Sequence, residues 1–263
     1  MPRSHLQRII PLAGSILLFL WWQTTPPGLL GKADAIGYAV CHRIDVRSFH
    51  LGARAIPLCA RCTGMYAGAM LGLLYQRLVA PRHSALPPLR LWIPLGLLAA
   101  AFVVDGTNSY LHFFPGAPGL YQPNNILRLL TGTGVGVVIS AFLYPAFQDT
   151  MWQHPVPVPA LKDGRALAIL LGLALGMDAL ILTENPLLLY PLALISAAGV
   201  LVLLSMVYGM LWVILWKAER FATRYRQLLP PMLVGVTLGL VQIALLDFLR
   251  FKLTGTWDGF HLG

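Results

Sequence analysis

The sequence predicts an all-α fold, a polytopic integral membrane helical bundle of about seven transmembrane helices, and three observations predict it. Of 263 residues, 57% are hydrophobic and only 11% are charged, whereas soluble domains carry roughly a quarter charged residues. Apolar runs recur along the whole chain at the length a span needs, about 20 residues. Between them stand helix breakers: Thr24-Thr25-Pro26-Pro27-Gly28, Pro81 with Pro87-Pro88, Pro115-Gly116 with Pro118-Gly119, Pro155 to Pro159, Asn185-Pro186 and Pro230-Pro231.

The first span is expected over residues 9–23. Arg3 and Arg8, the apolar run and the small-residue stretch Ala33-Asp34-Ala35 mimic a cleavable signal peptide. The gap from the run to that stretch is long, Trp21-Trp22 suits an interface anchor, and six further spans follow, so an uncleaved helix is the better reading. Residues 24–62 then form a polar loop. Further helices are expected over 63–79, 89–104, 126–147, 166–182, 187–216 and 232–250. Residues 1–147 make a motif-bearing membrane domain, and 148–263 add three helices to the same bundle.

Alternating sides sort the charges. The side bearing the amino terminus collects Arg3, Arg8, Arg77, Arg82, Arg90, Lys162, Arg165, Lys217, Arg220, Arg224 and Arg226. The other side has Lys32, Arg43, Arg47, Arg54, Arg61, Arg128, Arg250 and Lys252. The positive-inside rule puts the amino terminus in the cytoplasm and the 24–62 loop on the outer face of the cell membrane. Acidic residues sort oppositely, with Asp34, Asp45, Asp105, Asp178, Glu184, Asp247 and Asp258 toward the outer side. Asp178 and Asp247 lie inside apolar runs, where a carboxylate faces a cavity or a partner. The net charge of +9 comes from basic residues scattered between spans, with no basic-aromatic platform for nucleic acid. The partner these features imply is the lipid bilayer.

Chemistry concentrates in residues 41–72, which hold all three cysteines of the chain. Cys59-Ala60-Arg61-Cys62 is a C-x-x-C, and Cys41-His42 adds a thiol and an imidazole, so a tetrahedral zinc or other transition-metal site can be drawn from Cys41, His42, Cys59 and Cys62, with His50 a rival fourth ligand. The same atoms permit a thiol-disulfide oxidoreductase using Cys59 and Cys62, since Arg61 and a helix start favour thiolates. They also permit a disulfide-stapled loop that docks on other membrane subunits. Gly64, Gly68 and Gly72 recur every four residues, a stripe for close helix approach. Tyr66 follows Cys62 by one turn. Asn124 or Asn125 is a candidate N-cap for the fourth span, and Arg128 inside it needs a carboxylate, for which Asp105 is the nearest in sequence.

The segments C-H-R, R-S-F, P-L-C-A-R-C-T-G-M-Y-A-G, D-G and N-x-x-R-x-x-T-G together resemble the predicted membrane-protein family catalogued as domain of unknown function 2085, over about residues 38–136. The resemblance implies shared positions at Cys41, His42, Arg47, Ser48, Cys59, Arg61, Cys62, Gly64, Tyr66, Gly68, Asp105, Asn125, Arg128 and Gly132. It brings no established activity. Two departures stand out: Gln122-Pro123-Asn124 precedes Asn125 where a serine-threonine pair is expected, and residues 107–121 form a Gly/Pro-rich insert.

No Ser-His-Asp arrangement, phosphate-cradling glycine loop or H-E-x-x-H motif is present, so no hydrolase, nucleotide cofactor or zincin reading arises. The residues mark a place for chemistry, with a metal site the first reading beside thiol-disulfide exchange and a stapled loop, and leave open whether the protein is an enzyme.

Overall fold

The computed structural model describes the backbone of residues 2–114, 116 and 119–259, and the side chains among them from residue 13 onward. Arg3, Arg8, Pro115 and Pro118, invoked above, lie outside the described side chains. Among the described residues, eight α-helices run in the order α1 (Pro2–Thr24), α2 (Gly28–Val40), α3 (Ala60–Val79), α4 (Trp92–Leu111), α5 (Asn125–Met151), α6 (Gly164–Leu182), α7 (Pro186–Leu215) and α8 (Leu229–Thr254). Each of the seven expected helices has a counterpart, and α2 is new. It occupies part of what reads as loop, and its 13 residues extend about 20 Å, too short to cross a bilayer.

Among the described residues, five helical stretches are long and apolar enough to cross a membrane: Leu89–Leu111, Asn125–Met151, Gly164–Leu182, Pro186–Leu215 and Tyr225–Thr254. This supports an all-α membrane protein with five candidate spans; seven spans are not established. The helix α3 falls short of the apolar standard because it carries Arg61, Thr63, Gln76, Arg77 and three glycines. It lies against α5, α6 and α7, and a helix sheathed by other helices need not match lipid along its length.

The bundle has two distinct ends. At one, Arg61 of α3 meets Asp105 of α4, the amide of His50 donates to Glu184 just beyond α6, and Tyr38 of α2 bonds Thr254 and Thr256 at the end of α8. At the other, β3 (His83–Ala85) pairs with β4 (Val156–Pro159), and Arg82 stacks over Trp152. The thiol loop and the acid-rich connections therefore share one end. The remaining strands, β1 (His50–Leu51) and β2 (Arg54–Ala55), form a hairpin turned at Gly52, whose φ of +65° suits glycine.

The most extensive helix pairing is α3 with α5, and glycines on both helices allow it. A Cβ at Gly68 would sit 2.7 Å from the carbonyl oxygen of Thr133, and one at Gly64 would meet the backbone of Leu129 and Thr133. Reciprocally, Gly132 and Gly136 of α5 face the carbonyls of Arg61 and Met65. Backbone thus lies on backbone along several turns, the small-residue packing that associates helices in lipid. Its consequence for the site is register: Cys62 and Arg61 are fixed relative to Arg128.

Candidate metal centre and arginine cluster

The thiols come together because α2 and α3 are joined by a tethered excursion. Cys41 is the C-cap of α2. Asp34 of α2 pairs with Arg43 at 2.8 Å and with Arg54, holding both limbs of the connection. Gly37 has no side chain, and a Cβ there would collide with the carbonyl of Pro57. The returning chain can therefore press against α2 and deliver Cys59, the N-cap of α3, to Cys41. The Cys59 amide donates to Cys41 Sγ at 3.3 Å, and the Arg43 amide lies at 3.5 Å. With Cys62 one turn into α3, the three sulfurs all lie within 4.8 Å of one another, and all three are free. Cys41 and Cys59 are buried in a core with Trp21, Leu58, Val200, Leu240 and Ile243, so α7 and α8 wall the cluster.

One thiolate suits this arrangement best. The thiol groups of Cys59 and Cys62 donate to Cys41 and hold it well below its ordinary value, against burial. Cys59, as donor to Cys41 and buried, is pushed up to about 12. The amino terminus of α3 points at the same place and favours negative charge there. Amide donors to sulfur and a helix terminus are the surroundings that steady a metal thiolate.

The residues fit a transition metal in part. Tetrahedral zinc with bonds of about 2.3 Å sets its sulfurs about 3.8 Å apart, a distance open to sulfurs gathered within 4.8 Å. Three positions are supplied, and the fourth expected ligand is not among them. His42 Nδ1 accepts from the amide of Ile44 at 3.1 Å, and its ring stays outside the sulfur group. Burial, partly opposed by Cys41 and reinforced by Arg47, Arg61 and Arg128, pushes His42 below its ordinary value. The rival, His50, turns away: its ring pairs with Asp45 at 3.1 Å. Tyr66 packs in the same core as the thiols.

Beside the sulfurs, three arginines converge. The pairing expected between Asp105 and Arg128 does not form; Asp105 instead takes Arg61. Its carboxylate accepts Arg61 Nε at 3.0 Å and a second bond from the same guanidinium, with the Tyr121 hydroxyl at 2.9 Å and Thr131 at 3.4 Å. Arg61 also donates to Ser109 Oγ at 2.8 Å. Sequence adjacency misled because Arg61 and Asp105 belong to different helices that only the fold apposes. Arg47 lies over the Phe113 ring, 3.9 Å from its centroid, and donates to the Ser109 carbonyl at 3.4 Å. Arg128 donates to Asn125 Oδ1 at 2.9 Å, and its Nε is buried without a partner. Asn125 in turn donates to the Val46 carbonyl. Asn124 is the N-cap of α5 and accepts from the Leu127 amide. Ser48 serves the loop itself, donating to the Ile44 carbonyl.

Two further residues shape the site without a motif to mark them. Tyr121 closes the Gly/Pro-rich insert onto Asp105, aided by Asn108, whose side chain bonds the Tyr121 carbonyl and the Leu120 amide. Arg250, near the end of α8, donates to the carbonyls of Tyr38, Cys41 and His42, the groups left open where α2 stops. The only advance signal was a charged residue at the close of an apolar run. Asp247, also in α8, and Asp178 of α6 are buried; Asp178 accepts from Thr133 at 2.7 Å and does not reach the thiols.

The family model described as "Predicted membrane protein (DUF2085)" matches residues 41–142. Among similar proteins, an uncharacterised protein of Methanothermobacter thermautotrophicus is 34% identical over 98 residues, 37% of this chain and 78% of that protein. An uncharacterised protein of Methanocaldococcus jannaschii is 26% identical over 119 residues, 45% of this chain and 70% of that protein. A Na(+)/H(+) antiporter NhaA of Desulfotalea psychrophila is 31% identical over 123 residues, which span 46% of this chain but only 30% of the antiporter. No solved structure matches.

Proposed function

The chain belongs to the DUF2085 family of predicted membrane proteins, and from that premise we propose that its working part is a transition-metal site, with zinc the first choice, whose protein ligands are Cys41, Cys59 and Cys62. The observation that carries this reading is convergence: sulfurs from two separate chain segments lie within 4.8 Å, and two backbone amides aim at one of them. Soft thiolates select zinc and similar ions. Three protein ligands leave a fourth position for water or an incoming group, the pattern of sites that exchange a ligand rather than closed structural ones. His42 and Tyr66 are the neighbours able to meet that position, and Arg47, Ser48, Arg61, Asp105, Asn125 and Arg128 form the supporting wall.

The site end of the bundle is read as the outer face, with the amino terminus in the cytoplasm, because the opposite end carries the larger share of Lys and Arg. Residues 1–147 bring the ligands, and the helices of 148–263 complete the same bundle by walling the thiols.

Elemental analysis of the purified protein together with thiol counting tests the metal. About one metal per chain with three unoxidised thiols is the expected result, and Cys59→Ser should abolish metal binding. Full retention of metal by that variant sinks the proposal. Metal-free protein with one reversible disulfide transfers the site to thiol-disulfide chemistry, for which the lowered Cys41 thiol would be the attacking group.

A further inference from the structure

We infer that Arg47, Arg61 and Arg128 form a phosphate-binding cleft next to the thiol cluster. Three guanidiniums from three separate elements face one another there: the loop turn of Asp45–Arg47, the first turn of α3 and the first turns of α5. Arg128 lies within electrostatic reach of Arg47, Arg61, Asp105 and Cys59, and Arg47 within reach of Arg61 and Cys59. Asp105 is the one carboxylate among these groups, and Arg61 already engages it through two nitrogens while Tyr121 and Thr131 take further bonds. Its charge and its lone pairs are spent.

What remains is positive charge without a partner in a place that penalises it. Arg128 is 6% exposed, binds only a neutral amide oxygen of Asn125 and leaves Nε buried and unbonded. A buried charge of this kind is costly unless something opposite meets it. Guanidinium forks present paired donors that match the oxygens of a phosphate, which accepts from several at once, better than any single-point cation does. The amino terminus of α5 contributes its dipole toward the same anion.

The phosphate can arrive on a lipid headgroup at the membrane surface or free in solution, and two experiments separate these sources. Isothermal titration of the detergent-purified full chain with inorganic phosphate reads the soluble source. Expected there is saturable binding, weakened at least tenfold in Arg128→Gln and unchanged in Arg220→Gln, which alters the opposite end of the bundle. Thermal unfolding in phosphatidylcholine nanodiscs with and without phosphatidylglycerol reads the lipid source. Expected then is a raised midpoint with phosphatidylglycerol that Arg128→Gln abolishes. If Arg128→Gln does not fold, Arg47→Gln at the rim of the cleft serves with the same readouts. Absence of both effects, or effects equal in the variants, overturns the inference. Metal content and thiol count are measured separately, so this cleft can fail while the metal site stands, and the reverse.

Discussion

Asp105 of α4 receives the guanidinium of Arg61, which stands with Ala60 between the two cysteines of the C-x-x-C segment. The first turn of α3 is thereby pinned to α4 on one side while its sulfurs face α7 and α8 on the other. Asp105 is 1% exposed, so Asp105→Asn leaves the partly buried Arg61 cation poorly compensated. A loss of about 3–5 kcal/mol of stability is expected. The double variant Asp105→Asn with Arg61→Gln should cost less than the two single losses combined, a comparison that thermal unfolding in detergent reads directly.

The α3–α5 contact is expected to reject even a methyl group. Gly64→Ala places its Cβ 2.8 Å from the Thr133 amide nitrogen, where only backbone could yield. Destabilisation of about 1–3 kcal/mol should result. Gly172→Ala in α6, which has nothing within 4 Å, should be neutral or stabilising by up to about 1 kcal/mol through helix propensity. Equal effects at the two positions would refute the backbone-on-backbone account.

Arg250→Gln removes the guanidinium that holds the carbonyls of Tyr38, Cys41 and His42. Under the proposed metal reading, loss of such support lowers metal affinity about 10–100-fold, measured by competition with a chelator. The helical content should remain, because the bonds lost lie at one end of α2.

Orientation can be tested on exposed positions near the two ends. Val46, 75% exposed in the thiol loop, is expected as Val46→Cys to react with a membrane-impermeant maleimide in intact cells beyond the signal of the parent chain. Arg220→Cys should react only after permeabilisation. The opposite pattern would reverse the outer-face assignment.

The helices were legible in the sequence because lipid enforces a length and a composition on whatever faces it. The limits of that rule explain what was hidden. The short α2 departs from the length and so reads as loop, whereas α3 is expected as a helix although its composition falls short of that of a lipid-facing span. The nearness of Cys59 and Cys62 was legible from spacing, since a C-x-x-C returns its sulfurs to one place, whereas Cys41 was a candidate that only the fold brings to them. The partner of Asp105 was not, because Arg61 and Arg128 are equally good chemical candidates and only helix packing chooses between them. Arg250 was illegible for a related reason: its ligands are backbone carbonyls, which carry no residue-type signature.

The hold of Arg250 on Cys41 also has a sequence in time. The two residues are 209 positions apart, so the thiol leaves the ribosome long before the guanidinium that steadies it. During synthesis Cys41, Cys59 and Cys62 are therefore all made while α7 and α8, which wall them in the folded chain, are still unmade. Nascent chains halted before α8 should expose these sulfurs to solvent, and under the proposed metal reading the interval before the last helix inserts is when the cluster is open to an incoming ion.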